Sequence, residues 1–448
     1  MDATINLEQL QQITQDVLKI AKQAGASSAE TEVSFGTGQN VSVRLGETEN
    51  IEYNRDKGIS VTVYFGEQKG HASSSDLSPQ ALKDTVEAAC NIAKYTAKDP
   101  FCGLADAQLM ATDLPDLDLY HPCQLSVDEA VEIGKACEAA AIDVDRARIT
   151  NSEGAGVSNS ESIFAYANSH GFVGGYASSR HSISCSVIAE DKGNMQRDYW
   201  YTSARDFKDM DSASYVGNTA GQRTIRRLGA RTIQTGQYPV LFEAPLASGL
   251  ISSLVSAISG GSLYRKSSFL LDSLGKKVAS SILNVTEDPH IKKGGASSPF
   301  DSEGVATHAR QLVDNGILKG YMLSSYSARK LGMQTTGNAG GSHNLIVQST
   351  GQNFAELLQL MGTGLLVTEV LGHGLNMVTG DYSRGAAGFW VENGVIAYPV
   401  EEITIAGNMK DMLNQMIAIG TDAIKNSSKL TGSILIEQMT VATGDSID

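Results

Sequence analysis

Ile59-Ser60-Val61-Thr62-Val63 alternates apolar and polar residues, and Val41-Ser42-Val43-Arg44-Leu45 upstream does the same. Successive side chains of a strand point to opposite faces, so this period of two belongs to half-buried strands of an antiparallel sheet. The polar run from Asn54 to Gly58, and Gly66, read as the turns between such strands. Before them, Leu7, Leu10, Ile13, Val17, Leu18, Ala21 and Ala24 recur at helical spacing, and Gly25 stops the pattern. After them, Ser78-Pro79 opens a second helix through Leu82, Val86, Ala89 and Ala93, a capping serine followed by a first-turn proline.

The same order then recurs. A loop-rich passage marked by Pro100, Pro115 and Pro122 ends at Ser126, which with Glu129 has the spacing of a capping box. From Ile149 to Tyr201 the chain alternates again, as in Ile163-Phe164-Ala165-Tyr166 and Ile183-Ser184-Cys185-Ser186-Val187, and a helix follows near Ser212 to Leu228. Helix, strands, helix thus occurs twice before residue 230, the mark of an architectural duplication without a detectable sequence repeat. Beyond the polar segment Gly229 to Pro239, Asn315-Gly316 and Asn393-Gly394 each sit between apolar runs. Asn-Gly supplies the positive φ pair of a tight turn, so both predict β-hairpins. A helix from Asn408 through Met412, Met416 and Ile419, closed by Gly420, and a last strand from Ser433 to Val441 complete the chain, with the methionines as core filler. The expected fold is α+β: subdomains over residues 1–120 and 121–230 built from helix, antiparallel sheet and helix, then a mainly β domain with hairpins over residues 231–448.

At 448 residues, 41% hydrophobic and 19% charged, the chain has room for a large core and the composition of a soluble globular protein. A net charge of -15 argues against direct nucleic-acid binding, which needs a basic face to displace counterions from phosphates. Met1 to Ala26 lacks the basic start and apolar block of a secretory signal, which predicts a cytoplasmic protein. The uncharged stretch Ala244 to Tyr264 is long enough to span a membrane but is loaded with serine and glycine, so it reads as a packed segment, with no membrane contact. Cys90, Cys102, Cys123, Cys137 and Cys185 are odd in number and form no CxxC pair, consistent with reduced thiols.

Helical zinc peptidases place two histidines on adjacent turns with a glutamate beside one of them, and none of the eight histidines has a partner at that spacing. Glu369 and His373 are four apart but lie where Leu365-Leu366-Val367 reads as a buried strand, and a strand does not bring such residues together. Gly340-Gly341-Ser342-His343-Asn344 lacks the last glycine of a nucleophile elbow, and Ser273-Leu274-Gly275-Lys276 and Ser327-Ala328-Arg329-Lys330 satisfy SxxK without its companion motifs. Gly362-Thr363-Gly364 opens like a dinucleotide loop but has Val367 for the third glycine and no βαβ unit around it.

Three long stretches carry a family resemblance. Thr363-Gly364-Leu365-Leu366-Val367-Thr368-Glu369, with Gly380-Asp381-Tyr382-Ser383-Arg384-Gly385-Ala386-Ala387-Gly388-Phe389-Trp390 and Val391-Glu392-Asn393-Gly394, resembles the C-terminal signature of the TldD/PmbA peptidase family. Ala72-Ser73-Ser74-Ser75-Asp76-Leu77-Ser78-Pro79 and Arg265-Lys266-Ser267-Ser268-Phe269-Leu270-Leu271-Asp272 are similar to its PmbA (TldE) branch. The resemblance implies that Ser252, Ser253 and Ala257 stand where the zinc helix HExxxH of TldD-like members would be, and that Thr431 stands in place of a ligating cysteine. No zinc or other cofactor is then expected in this chain, and no catalytic residue; the zinc belongs to a TldD-like partner.

The resemblance further implies the PmbA-type subunit of a cytoplasmic metalloprotease that trims short or unfolded peptides as a heterodimer, with a homodimer when the chain is alone. An edge strand can hold any extended peptide through its backbone, since backbone groups are the same in every sequence. Arg265, Glu369, His373, Asp381, Arg384 and Gly385 are the candidate peptide-binding residues, with Arg384 pairing either with a substrate carboxylate or with Asp381. Two alternatives from other classes stand beside this one: a homodimeric scaffold or regulator, as the older name of modulator of DNA gyrase suggests, and an enzyme of its own mechanism.

Overall fold

The computed structural model describes residues 6–443. The first repeat is α1 (Leu7–Gln23), β1 (Ser28–Arg44), β2 (Glu47–Phe65), β3 (Gln68–Ser74) and α2 (Pro79–Tyr95). The second is α3 (Val127–Ile142), β4 (Ile149–Asn168), β5 (Val173–Asp191), β6 (Asn194–Ala204) and α4 (Ala213–Ile225). All six strands form one antiparallel sheet in the order β3-β2-β1-β4-β5-β6, so the repeats join through β1 and β4 and each ends on an outer edge.

Ser78 caps α2, and Ser126 with Glu129 closes a capping box on α3, as their spacing predicts. Parity organises the sheet. Ala29, Val33, Phe35, Val61 and Val63 face α1 and α2, while Val41 and Val43 face α3. The opposite parity carries Glu30, whose carboxylate accepts from the Tyr64 hydroxyl at 2.7 Å and the Tyr166 hydroxyl at 2.8 Å.

The strands are longer than the alternating runs that announce them. Asn54 to Gly58 is not a turn: it lies inside β2, paired with Ser34 to Gly38 of β1. The turn is Leu45-Gly46, with φ of 51° and 77°. None of residues 54–58 has a positive φ, and their polar side chains simply face water on a sheet edge that extends past its core.

The rest of the chain runs β7 (Gly236–Phe242), α5 (Ala244–Ala257), α6 (Gly260–Tyr264), β8 (Val285–Asp288), β9 (Arg310–Asp314), β10 (Ile317–Leu318), α7 (Ser325–Lys330) and β11 (Asn344–Val347). It continues through α8 (Phe354–Met361), β12 (Gly364–Leu371), β13 (Asp381–Glu392), β14 (Val395–Asn408), α9 (Met409–Asn414), β15 (Met416–Ile419), β16 (Lys429–Leu430) and β17 (Ile434–Thr443). A small sheet has the order β10-β9-β8-β11-β16. In the larger one β14, β13, β12, β7 and β17 follow one another, and β17 pairs back onto β14, closing a ring with β15 attached to β17. Closure removes the edges of the five ring strands over the paired residues, while the small sheet stays open.

Both Asn-Gly dipeptides turn hairpins, β9 into β10 and β13 into β14. The helix expected from Asn408 to Gly420 is shorter. It stops at Asn414, and Met416–Ile419 forms β15 because the edge of β17 offers backbone partners to a segment with β-branched Ile417 and Ile419. Ala244 to Tyr264 is the packed segment expected, with Leu250, Ile251 and Leu254 in the core. Among the described residues no helix is long and apolar enough to cross a membrane.

Candidate functional site

Glu243 precedes α5, and the region around it joins the second repeat to the ring. On α4, Arg223 donates to both oxygens of Glu243 at 2.8 and 3.1 Å and lies 3.4 Å from Asp198 of β6. Burial works against the Arg223 charge, but Glu243 and Asp198 outweigh it, and the net shift is upward. Arg227 reaches Glu369 on β12, and Gln196 on β6 reaches Glu401 on β14. Arg226 lies over the Phe389 ring, 4.8 Å from its centroid, and its Nε is buried without a hydrogen-bond partner. Arg223 in the last turn of α4, with Arg226 and Arg227 just past its end, thus clamps β6 and its repeat to the ring.

Beside this clamp opens a cleft of about 590 Å³. Trp200, Tyr201, Thr202 and Ser203 of β6 line it, with Arg180, Asp209, Asp211, Tyr215, the start of α5 and the loop 422–428. Alternate residues of a strand point to opposite faces, so four consecutive residues can line one cleft only where the cleft meets the strand's edge. That edge is open: among the described residues, no backbone-to-backbone hydrogen bond reaches β6 except from β5. Tyr199 and Tyr201 stack beside it at 6.5 Å and are about half exposed.

The residues singled out by resemblance do not gather in that cleft. Ser252 and Ser253 lie on α5 and donate their hydroxyls to the carbonyls of Ser248 and Gly249 at 2.8 and 3.0 Å. Ala257 is fully buried, and Thr431 is buried with its hydroxyl on Gly432 O. These four side chains do not fit zinc, for they offer hydroxyls already engaged with backbone and one methyl group. Among the described residues, no three His, Cys, Asp or Glu side chains come together as a metal-binding group.

Glu369 and His373 are not neighbours in function either. Glu369 is taken by Arg227, whereas His373 is exposed on the loop after β12. Arg384 and Asp381 are not paired: three apart on one strand, they face opposite ways, and Asp381 accepts from Thr379 Oγ1 and Asn408 Nδ2. Arg265 stacks on Tyr264, its neighbour in sequence. Gly385 sits in ordinary extended backbone between Leu371 and Thr404, with no positive φ. The close approach belongs to Gly388, where a Cβ would stand 1.9 Å from Leu366 O. His343 is buried against Glu287, which Arg310 and Asn338 also bind, so the Gly340 to Asn344 loop presents no free serine-histidine pair. Sequence reasoning missed Trp200 to Ser203 and the clamp, although three consecutive aromatics, Tyr199-Trp200-Tyr201, at the end of an alternating stretch and Arg223, Arg226 and Arg227 in an acidic chain were signals for both.

The PmbA/TldA metallopeptidase families match the chain in three consecutive pieces: domain 1 at residues 29–93, the central domain at 120–228 and the C-terminal domain at 235–443. The chain belongs to the PmbA/TldD family. It is 51% identical over 417 residues to Metalloprotease PmbA of Escherichia coli O157:H7, covering 93% of this chain and 92% of that protein. To the Metalloprotease PmbA homolog of Haemophilus influenzae it is 49% identical, covering 97% and 96%. A crystal structure from Bacteroides thetaiotaomicron, described as a candidate modulator of DNA gyrase, superposes with a TM-score of 0.93 at 29% identity, over 98% of this chain and 100% of that one. The overall fold described above is thus shared with that structure.

Proposed function

We propose that this chain is the peptide-holding subunit of a two-chain metallopeptidase whose zinc sits in a TldD-like partner. The observation that carries the reading is the open edge of β6 inside the 590 Å³ cleft. An extended peptide adds to such an edge through main-chain hydrogen bonds, which read no side chain and so suit short or unfolded substrates. Tyr199 and Tyr201 give apolar contact beside it. The clamp of Arg223, Arg226 and Arg227 fixes the strand relative to the ring, so the peptide is presented in one orientation.

The non-catalytic role rests on the chemistry of Ser252, Ser253, Ala257 and Thr431, whose side chains supply no zinc ligand set. The partner itself is inferred from the relatives, which are named metalloproteases although their counterpart here lacks that set. Without the partner, the surface meant for it is left over, and the chain forms a homodimer.

The test is to purify the chain alone and together with a TldD-like chain, and to assay zinc content and peptide cleavage in both. Cleavage and about one zinc are expected only in the mixture. Cleavage by this chain alone, undiminished by a chelator, would sink the reading, and so would one tightly held zinc in the isolated chain. A peptide methylated on alternate backbone nitrogens should bind about fivefold to tenfold more weakly for each lost hydrogen bond; equal binding would rule out edge pairing.

A further inference from the structure

On the other side of Pro245 from that cleft lies a second one, of about 450 Å³. One wall is the α5 stripe of Ser248, Ser252, Ser253 and Ser256; the other is Val370, Leu375, Met377 and Tyr382 from β12, β13 and the loop between them. Arg384 completes the lining. Among the described residues its guanidinium makes no hydrogen bond or ion pair, its Nε is buried, and its one contact of note is the Tyr382 ring at 5.7 Å. A guanidinium carries five donors and no acceptor, and of these the Nε–H of Arg384 is withdrawn from water and unmet, which is costly. Every other partly buried arginine of the neighbouring clamp has a carboxylate opposite it; Arg384 faces a cleft instead.

We propose that this cleft binds the free C-terminal carboxylate of a peptide, with Arg384 as the residue that recognises it. The proposal rests on the peptide-binding reading above and adds which end of the peptide is held, and where. The polar groups fit both ends of a terminal residue. Arg384 can take the carboxylate through a bidentate fork. Ser248, Ser252 and Ser253 have each given their proton to a helix carbonyl, which leaves oxygen lone pairs to accept the terminal residue's N–H. Val370, Leu375, Met377 and Leu246 then contact its side chain, which selects an apolar last residue. The site therefore occupies the helix face that the resemblance assigns to the missing zinc motif, and uses it to bind a peptide end.

The experiment compares two N-acetylated tetrapeptides ending in leucine, one with a free carboxylate and one with a carboxamide, binding to the purified chain by calorimetry. The free acid should bind about tenfold or more tightly than the amide, the size of a charge-assisted pair. Arg384→Gln should abolish that difference by weakening the free acid far more than the amide, while Arg384→Lys should keep part of it. Circular dichroism and thermal melting should show both variants folded. Equal binding of acid and amide to the wild type would overturn this proposal and leave the peptide-binding reading standing. Equal loss of both ligands in Arg384→Gln would also overturn it. If neither ligand binds the chain or its complex with a TldD-like protein, both readings fall.

Discussion

The two repeats of the N-terminal sheet end on edges with different surroundings. In the first, β3 has seven residues and is held against α2 by Gly70, where a Cβ would stand 1.9 Å from Ala89 O. In the second, β6 has eleven residues, carries Trp200 to Ser203 along its open edge and leaves a cleft beside it. They also dock differently on the rest of the molecule. The first repeat meets α7 through Arg329, whose guanidinium caps the carbonyls of Phe101, Gly103 and Leu104, and through Tyr326 on Asp99. The second uses buried ion pairs. Among the described residues neither outer edge has a further backbone partner, so the duplicated units differ in what lies behind the edge: neutral hydrogen bonds for the first, buried ion pairs for the second.

The largest expected effect tests that anchor. Arg223→Ala should lower stability by about 3 kcal/mol, since it takes the closest cation from Asp198 and Glu243, which are 5% and 15% exposed, and leaves them only Arg227 at 3.8 Å and Arg226 at 3.5 Å. Arg329→Ala, on α7 where it meets the segment after the first repeat, should cost about 2 kcal/mol, because its hydrogen-bond partners are neutral carbonyls and its one carboxylate neighbour, Asp106 at 3.6 Å, is largely exposed. Urea unfolding of both variants checks the order, and a larger loss for Arg329→Ala would reverse the comparison.

A buried carboxylate in the C-terminal half, Glu287, separates charge from packing by its pH dependence. Burial would raise Glu287, but His343 and Arg310 outweigh it and hold its carboxyl at about 2. A carboxylate depressed in the fold stabilises above its unfolded value, near 4.5, and loses that contribution as pH falls toward 2. Glu287→Gln should therefore cost about 3 kcal/mol at pH 7, and the gap to wild type should narrow steadily below about pH 4.5. A gap that stays constant from pH 7 to 3 would show that packing, not charge, carries the effect.

Smaller changes probe the edges themselves. Gly70→Ala should destabilise the first repeat by about 2 kcal/mol and leave peptide affinity unchanged. Tyr201→Ala should do the opposite, leaving urea midpoints within about 0.5 kcal/mol of wild type and weakening peptide binding several-fold. If both variants moved the same observable, the edges would not differ in role. The smallest effect belongs to Gly385→Val. A Cβ there meets only Leu371 Cβ at 3.3 Å in extended backbone, so stability should fall by under about 1 kcal/mol and cleavage by the mixed complex should persist.

Much of this fold is legible in the sequence because its rules are local. Ser78, Ser126 and the two Asn-Gly turns act within four residues, and each does what its neighbours dictate. The duplication shows in the order of elements, since amphipathic period survives when identity does not. What escapes is set by distant partners. Asn54 to Gly58 looks like a turn until Ser34 to Gly38 lies opposite it, and Met416–Ile419 keeps a helical spacing that the edge of β17 overrides. The site divides in the same way. Arg384 is named by the family signature, but that it lacks a carboxylate is a property of the fold, since Asp381 three residues away points elsewhere. Trp200 to Ser203 become a cleft only once α5 and residues 422–428 stand beside β6.

The closed ring also fixes a schedule for synthesis. Its central strand, β7, ends at Phe242, but β12 begins at Gly364 and β17 at Ile434, so one neighbour emerges 122 residues later and the other 192. At about 5–20 residues per second, β7 waits roughly 6–24 s on the ribosome with both edges unpaired, and roughly 10–38 s before its second neighbour has emerged. Val240-Leu241-Phe242, which ends fully buried, spends that interval in water. For this chain, the nascent state most in need of a chaperone is the one in which the N-terminal sheet is already complete and the ring holds a single strand.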